Sequence, residues 1–195
     1  MRWKTHVLTA WLLFLPVAIL NKYQINDLII FAFFLFLGAL IPDLDTNGKI
    51  KHSHILGNLL PLIAFISNLL LLPTKIIGWQ KHREMTHSLL GMVIIGGFWG
   101  FLVSYFNLLA TQGILLGYFA HIFSDSLTKS GIPAFFPVKT RLRGIFRTGG
   151  WSEMIYLILL VLYAITIFYF KIQNLEIIFA NIALCAISTA MSHNI

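Results

Sequence analysis

Charged residues are scarce in this sequence: they make up only 11% of its 195 residues, against about a quarter in soluble globular proteins. Apolar residues make up 58%. A soluble domain of this length has too much surface for its volume to hide so many apolar side chains. The composition therefore excludes an ordinary soluble domain and indicates a single integral membrane domain over residues 1–195.

Cysteine and acidic residues are also few. The single cysteine, Cys185, excludes an internal disulfide. Acidic residues number 7 against 14 Lys and Arg, which gives a net charge of +7. A basic balance often indicates nucleic acid, but in a membrane protein it is better explained by basic loops that stay on the cytoplasmic side and face anionic lipid headgroups. We therefore expect membrane lipids as partners and no nucleic acid; the oligomeric state stays open.

Seven apolar runs predict an all-α, polytopic membrane helix bundle. They cover about residues 5–20, 28–42, 55–73, 88–106, 108–124, 154–170 and 175–191, and a crossing needs about 20 residues. If the 55–73 run crosses, Asp43 and His87 lie on opposite faces of the membrane. If it re-enters or lies along the interface, they share one face, and Pro61 suits such a broken segment.

Lysine and arginine distinguish these arrangements. With a non-crossing 55–73 segment, one face holds only Lys22 and Lys171. The other face then holds all the remaining basic residues: Arg2, Lys4, Lys49, Lys51, Lys75, Lys81, Arg83, Lys129, Lys139, Arg141, Arg143 and Arg147. The positive-inside rule makes this crowded face cytoplasmic. We predict about six transmembrane helices plus one re-entrant or interfacial segment, in the inner (plasma) membrane, with both termini cytoplasmic.

His121 and Asp125 are the clearest candidate metal ligands. They are spaced i, i+4, so both project from one face of a helix. An imidazole and a carboxylate one turn apart can bind the same divalent cation. Ionisable groups at the end of a membrane helix are costly and usually functional. A simple interfacial pair is the alternative interpretation.

Asp43 and Asp45 follow Pro42, which disfavours helical geometry at the preceding residue. We therefore expect the helix to end there and both carboxylates to project from irregular chain. Two such charges repel each other unless a cation lies between them. A solvated loop behind a helix-stopping proline is the alternative interpretation.

His82 and His87 are five residues apart and do not share a face of a regular helix. We expect His82 to precede a helix and His87 to lie in its first turn, with Thr86 as the N-cap. Arg83 adds a planar guanidinium suited to phosphate or carboxylate. His6, at the start of the first helix, is a weaker candidate, because an interfacial histidine without metal explains it equally well.

A basic stretch leads into the last helical region. Its Lys139 and Arg141 suit simple attraction to the membrane surface. Arg147 is a better site candidate, because it adjoins a Gly-Gly turn. Ser152 is the expected N-cap of the next helix, and Glu153 suits its first turn. Glu153 could equally face the site as a ligand or proton carrier.

The order of these motifs resembles that of the YdjM-type proteins, which are described as LexA-regulated, inner-membrane, metal-dependent hydrolases. The matching elements are His6, Pro42-Asp43-Leu44-Asp45, His82-Arg83-x-x-Thr86-His87-Ser88, Gly117-Tyr118-x-x-His121-x-x-x-Asp125, and Arg147-Thr148-Gly149 with Glu153. The resemblance covers about residues 1–153. Two departures stand out: Glu84 replaces a usual glycine, and Thr46 follows Asp45 where the family has His-Pro. His52 or His54 could replace that missing histidine.

Residues and resemblance together predict a membrane-bound, metal-dependent hydrolase. One or two divalent ions would be held by His6, Asp43, Asp45, His82, His87, His121 and Asp125. Nitrogen and oxygen ligands without thiolate favour Zn, with Mn or Fe as alternatives. The metal would lower the pKa of bound water to about 7. Arg83 and Arg147 would stabilise developing negative charge, and Glu153 would carry protons.

The depth of the predicted site, at the cytoplasmic interface, favours an amphiphilic or phosphoester substrate. Two alternatives to the hydrolase remain. A transporter would need polar residues within its helices, and here these regions offer mostly Gly, Ser and Asn. A non-catalytic metal-binding membrane protein would use the same ligands to hold its helices together.

Overall fold

Helices dominate the described part of the chain. The structure is a computed structural model and describes residues 1–21, 23–45, 62–63, 65–66, 69 and 84–192. Its main helices are α1 (Trp3–Leu20), α2 (Ile25–Leu40), α3 (Leu89–Ser104), α4 (Leu108–Ser126) and α5 (Trp151–Ser192). A 3-10 turn, Ile41–Asp45, continues α2, and a π-helical stretch, Met92–Gly96, lies within α3. The predicted all-α class is confirmed for these residues.

Three segments are long and apolar enough to cross a membrane: Trp3–Leu20, Ile25–Asp43 and Trp151–Lys171. The apolar α3 is shorter. The described residues thus contain fewer candidate crossings than the six predicted, and the predicted runs at 154–170 and 175–191 belong to one helix of 42 residues, α5. Their separation was wrong because residues 171–174, Lys-Ile-Gln-Asn, include no glycine or proline to break the helix. Most of the 55–73 run lies outside the described residues.

The most extensive helix contact joins α2 to α4. At Gly117 the two backbones approach so closely that a Cβ atom would lie 2.7 Å from the backbone nitrogen of Ala39. Small residues permit such close approach between membrane helices. Gly113, Gly117, His121 and Asp125 recur every four residues, so they share one face of α4. The face that meets α2 therefore carries two candidate ligands at its end.

The helices α3 and α4 also pack against each other. The hydroxyl of Thr111 donates to the carbonyl of Gly100, 2.9 Å away. Nearer the start of α3, a Cβ at Gly96 would lie 3.3 Å from the ring of Tyr118. Both glycines lie at or beyond the π-helical stretch, so contact with α4 continues along this part of α3.

Five helix ends lie together at one end of the bundle, which we call the site end. They are the starts of α1, α3 and α5 and the ends of α2 and α4. Backbone Arg2 before α1 donates to Glu153 of α5 at 3.1 Å, and His6 of α1 contacts Ser124 of α4. Asp43, after α2, contacts His87, before α3. At the opposite end of α1, the Lys171 ammonium donates to the carbonyl of Leu20 at 2.5 Å.

The segment between α4 and α5, residues 128–150, is named the basic loop here. It folds back on itself through isolated bridges between Thr128 and Phe146 and between Ile132 and Leu142. Its backbone also reaches α3, since the amide of Leu89 donates to the carbonyl of Ala134 at 2.9 Å. The loop therefore lies at the site end.

Candidate metal centre

Five predicted ligands converge at the site end and form what we call the cluster: His6, Asp43, His87, His121 and Asp125. Two overlapping groups, His6–Asp43–His121 and His87–His121–Asp125, each have ligand atoms within 4.8 Å of one another. The side chains of the three histidines are at most 1% exposed and that of Asp125 8% exposed, whereas that of Asp43 is 24% exposed. The cluster is thus buried, and Asp43 is its most exposed member.

His121 lies at the centre of the cluster. Its Nδ1 is 2.7 Å from the carbonyl oxygen of Ala39, and a carbonyl can only accept a hydrogen bond. Nδ1 therefore carries the proton, and Nε2 presents a lone pair. That Nε2 lies 3.3 Å from Nε2 of His87, 3.8 Å from Oδ1 of Asp43 and 3.7 Å from Oδ2 of Asp125. The close packing of α2 against α4 fixes this orientation.

His6 is oriented by a second hydrogen bond. Its Nδ1 lies 2.7 Å from Oγ of Ser124, and the Ser124 hydroxyl donates its only hydrogen to the carbonyl of His121, 2.9 Å away. Oγ must then accept from Nδ1 of His6, which leaves Nε2 with the lone pair. His6 also stacks on His121, with ring centroids 3.7 Å apart.

Nε2 of His6 is buried and has no hydrogen-bond partner among the described residues. Buried polar atoms are nearly always paired, so such an exception needs an explanation. The atom lies 3.5 Å from Oδ1 of Asp125 and therefore faces the cluster. It is thus placed where it could bind a cation together with the other cluster residues.

His87 joins the cluster from the start of α3. Its Nε2 lies 3.4 Å from Oδ1 of Asp43 and 3.8 Å from Oδ2 of Asp125, and its Nδ1 lies 3.0 Å from the hydroxyl of Thr86. The carbonyl of Thr86 accepts from the Tyr118 hydroxyl at 2.7 Å. Contacts on both sides of Thr86 thus fix the backbone that carries the imidazole.

Local structure at two ligands differs from the expectation. The N-cap of α3 is Ser88, whose hydroxyl accepts from the amide of Gly91 at 3.1 Å, so His87 precedes the helix. Thr86 was the wrong choice of cap because its hydroxyl contacts the His87 ring instead. Asp43 lies in a 3-10 turn and not in irregular chain, since Pro42 ends the α-helix while still permitting a tighter turn.

The donor set of the cluster fits a divalent cation. Lone pairs of imidazoles and carboxylates that face one another in a buried space need a proton or a cation between them. Two nitrogens bound at about 2.1 Å to one tetrahedral ion lie about 3.4 Å apart, and Nε2 atoms of His87 and His121 are 3.3 Å apart. The amino group of Met1 also donates to Asp125, so this carboxylate already has a positive neighbour.

Glu153 lies in the first turn of α5, which was one of its two predicted placements. Its carboxylate accepts hydrogen bonds from the amide of Arg2 at 3.1 Å, from the hydroxyl of Thr5 and from the amide of Gly149 at 2.5 Å. None of its described hydrogen bonds reaches a cluster residue. Glu153 therefore joins the start of α1 to the basic loop and α5, because three donors surround the carboxylate there.

Among the remaining predicted site residues that the structure describes, Arg147 is not brought into the cluster. The Arg147 side chain is exposed, and its backbone amide donates to the hydroxyl of Ser152 at 2.8 Å. His82 and Arg83, like His52 and His54, lie outside the described residues, as does the side chain of Asp45.

Ser124 and the Ala39 carbonyl were not identified from the sequence. The position of Ser124 could have indicated its role, because it lies at i+3 from His121 and adjoins Asp125. Nothing in the sequence indicated the Ala39 carbonyl, since only the packing of α2 against α4 reveals a backbone acceptor.

These features define a class of protein: a helical membrane protein with a buried imidazole–carboxylate cluster at one end of its bundle. Residues 1–195 match the family described as the YdjM inner membrane protein, and the chain belongs to this family. The resemblance seen in the sequence motifs is thereby confirmed, as is the membrane location.

Relatives differ in how much of the chain they cover. The uncharacterized protein YvsG of Bacillus subtilis is 32% identical over 135 residues, which cover 68% of this chain and 74% of YvsG. The inner membrane protein YdjM of Escherichia coli is 37% identical over 65 residues, which cover 32% of this chain and 33% of YdjM. No solved structure matches the chain.

Proposed function

We propose that this protein is a membrane-bound, metal-dependent hydrolase whose metal centre is the cluster. One observation carries the proposal: two buried Nε2 atoms, each given a lone pair by a hydrogen bond at Nδ1, face carboxylates. Nε2 of His6 lies 3.5 Å from Asp125, and Nε2 of His121 lies within 3.8 Å of both Asp43 and Asp125. A carbonyl or hydroxyl at the second nitrogen is the usual means of orienting a metal-binding histidine.

Each cluster residue has a role in this proposal. The three histidines supply neutral nitrogens, and the two carboxylates balance the charge of one divalent ion of the Zn, Mn or Fe type. Such an ion supplies Lewis acidity and lowers the pKa of water. Asp43, as the most exposed member, marks the side from which water and substrate enter. The stabilisation of negative charge by Arg83 and Arg147 stays a prediction.

The site end is proposed to face the cytoplasm. Among described basic residues, Arg2, Lys4 and the five of the basic loop lie at this end, and Lys171 contacts the opposite end of α1. The positive-inside rule assigns such an end to the cytoplasm. A multi-pass arrangement with about six crossings and an amphiphilic or phosphoester substrate complete the proposal.

Metal analysis of the purified protein tests the centre. We expect bound metal in the wild type and its loss in Asp43→Ala and His121→Ala, each checked for helix content by circular dichroism. Asp27→Ala is the matched control, because Asp27 lies in the first turn of α2, roughly 24 Å from Asp43 along the helix axis. Unchanged metal content in both ligand variants would disprove the centre.

Hydrolysis needs a separate measurement. Purified protein in detergent is given synthetic phosphoesters with and without an acyl chain, and product is followed in the wild type, Asp43→Ala and Asp27→Ala. We expect turnover that Asp43→Ala removes and Asp27→Ala retains. Metal-loaded wild type with no turnover beyond that of Asp43→Ala would contradict the enzymatic part and leave a metal-binding protein.

A structural, non-catalytic metal is the second candidate function. The cluster draws ligands from α1, from the turn after α2, from the start of α3 and from α4, so a bound ion would tie these four segments together. Removal of the metal separates the candidates. A catalytic ion leaves a folded protein behind, whereas a structural ion is needed for the helices to assemble.

A further inference from the structure

The basic loop combines charge of one sign with exposed apolar side chains. Residues 128–150 include five basic residues and no acidic one. All five are exposed: Lys129, Lys139, Arg141, Arg143 and Arg147. Exposed apolar side chains alternate with them, among them Phe135 at 57%, Leu142 at 47% and Ile145 at 77%. A water-facing loop would gain nothing from this apolar surface.

Backbone hydrogen bonds fold the basic loop back on itself. Ile132 and Leu142 exchange hydrogen bonds of 3.0 and 2.9 Å, and the amide of Lys129 donates to the carbonyl of Phe146 at 2.9 Å. Ile132 is only 2% exposed, whereas its partner Leu142 is largely exposed. The loop thus has an inner side that packs on the bundle and an outer side that carries basic and apolar groups together.

The position of the basic loop places that outer side at the membrane surface. The candidate membrane span of α5 begins at Trp151, directly after the loop, and Trp151 is 81% exposed in the isolated protein. Tryptophan is enriched where hydrocarbon meets headgroups. At the same end, the Lys4 ammonium lies 5.8 Å from the ring centre of Trp3.

We propose that the basic loop binds anionic phospholipid headgroups, with Phe135, Leu142 and Ile145 at the acyl boundary beneath them. Charge complementarity identifies this partner, because the loop is wholly cationic and anionic lipids attract such segments. The exposed aliphatic side chains of Leu142 and Ile145 favour this partner over nucleic acid, whose single strands are bound by stacking on aromatic rings. This surface is separate from the cluster and does not depend on a bound metal.

Native mass spectrometry of the full-length protein in detergent tests the proposal. The probe is an equimolar mixture of phosphatidylglycerol and phosphatidylcholine with identical acyl chains. We expect phosphatidylglycerol adducts to predominate in the wild type. Each basic residue near an anionic surface strengthens binding roughly fivefold, so the triple variant Lys139→Gln/Arg141→Gln/Arg143→Gln, which leaves the candidate site residue Arg147 in place, should weaken phosphatidylglycerol binding by up to roughly a hundredfold.

Controls separate lipid binding from stability and from the metal centre. Lys171→Gln removes one positive charge at the opposite end of α1 and should keep the lipid preference. Asp43→Ala should also keep it, so failure of the metal centre and failure of this surface give different results. Ile145→Ser, at a highly exposed position, should weaken binding of both lipids. Thermal unfolding confirms that each variant is folded.

Two results would overturn the proposal. One is equal retention of the two lipids by the wild type, or an unchanged preference in the folded triple variant. The other is displacement of phosphatidylglycerol by single-stranded RNA of mixed sequence, which would assign the loop to nucleic acid.

Discussion

The hydroxyl of Ser124 lies between two histidines of the cluster: it accepts from Nδ1 of His6, 2.7 Å away, and donates to the carbonyl of His121 at 2.9 Å. Its single hydrogen is used in the second contact, so the first fixes which nitrogen of His6 is protonated. A residue with no place in the ligand set thereby determines whether His6 can act as a ligand.

Ser124→Ala should weaken metal binding without removing any ligand. Loss of the acceptor leaves Nδ1 of His6 buried and unpaired, and loss of such a partner typically lowers metal affinity about 10–100-fold. Competition with a chelator of known affinity measures the change. Ser126→Ala is the control, because its hydroxyl donates to the carbonyl of Phe123 at 2.7 Å. Equal affinities in the two variants would contradict the role of Ser124.

Gly117→Ala should lower stability. The added Cβ would lie 2.7 Å from the backbone nitrogen of Ala39, which forces α2 and α4 apart at an expected cost of about 1–3 kcal/mol. Metal content should fall too, because Ala39 orients His121. Thermal unfolding in detergent gives the stability. Gly97→Ala is the matched control, since its added Cβ meets no described atom within 4 Å apart from its chain neighbours and its own helix backbone; a comparable loss there would refute the packing argument.

Glu153→Gln tests the position of this carboxylate outside the cluster. It weakens hydrogen bonds that Arg2, Thr5 and Gly149 donate, so we expect a loss of about 1–3 kcal/mol in the free energy of unfolding with metal content unchanged. Asp27→Asn makes the same chemical change in the first turn of α2 and should cost less. Metal loss at unchanged stability would restore the ligand role expected from the sequence.

Chelation should leave a folded but less stable protein. An ion that binds only the folded state stabilises it by about 4 kcal/mol when its concentration is a thousandfold above the dissociation constant. We expect helix content, measured by circular dichroism, to persist after chelation and the unfolding temperature to fall, with recovery on adding Zn²⁺. Collapse of the helical signal would instead favour the structural metal.

The ligands of the cluster could be predicted from the sequence mainly because of their local spacing. The i, i+4 spacing of His121 and Asp125 defines a helix face whatever the rest of the chain does, and Pro42 places Asp43 at a helix end. The structure brings five of the seven predicted ligands together, and the other two lie, in whole or in side chain, outside the described residues. Asp43 and His87 do lie at the same end, as the arrangement with a non-crossing 55–73 segment requires.

The N-cap of α3 and the role of Glu153 depend on tertiary contacts, which the sequence pattern does not reveal. Thr86 and Ser88 are equally good N-caps by type, and the choice between them follows from the contact of Thr86 with His87. Glu153 has the charge of a ligand, but the donors that surround it come from α1 and from the basic loop. The sequence pattern predicts two separate runs on either side of the polar residues 171–174, whereas α5 continues through them, because polar residues alone do not end a helix.

The π-helical stretch Met92–Gly96 has a consequence for how α3 meets its neighbour. Each such stretch accommodates an extra residue in the turn, so it shifts the angular phase of everything that follows by about 100° relative to a regular helix. Without that offset, Gly100 would rotate away from the hydroxyl of Thr111 while Ser88 kept its place. In a regular helix, the parts of α3 before and after Met92–Gly96 would face different directions. The widened turn therefore lets both parts face α4.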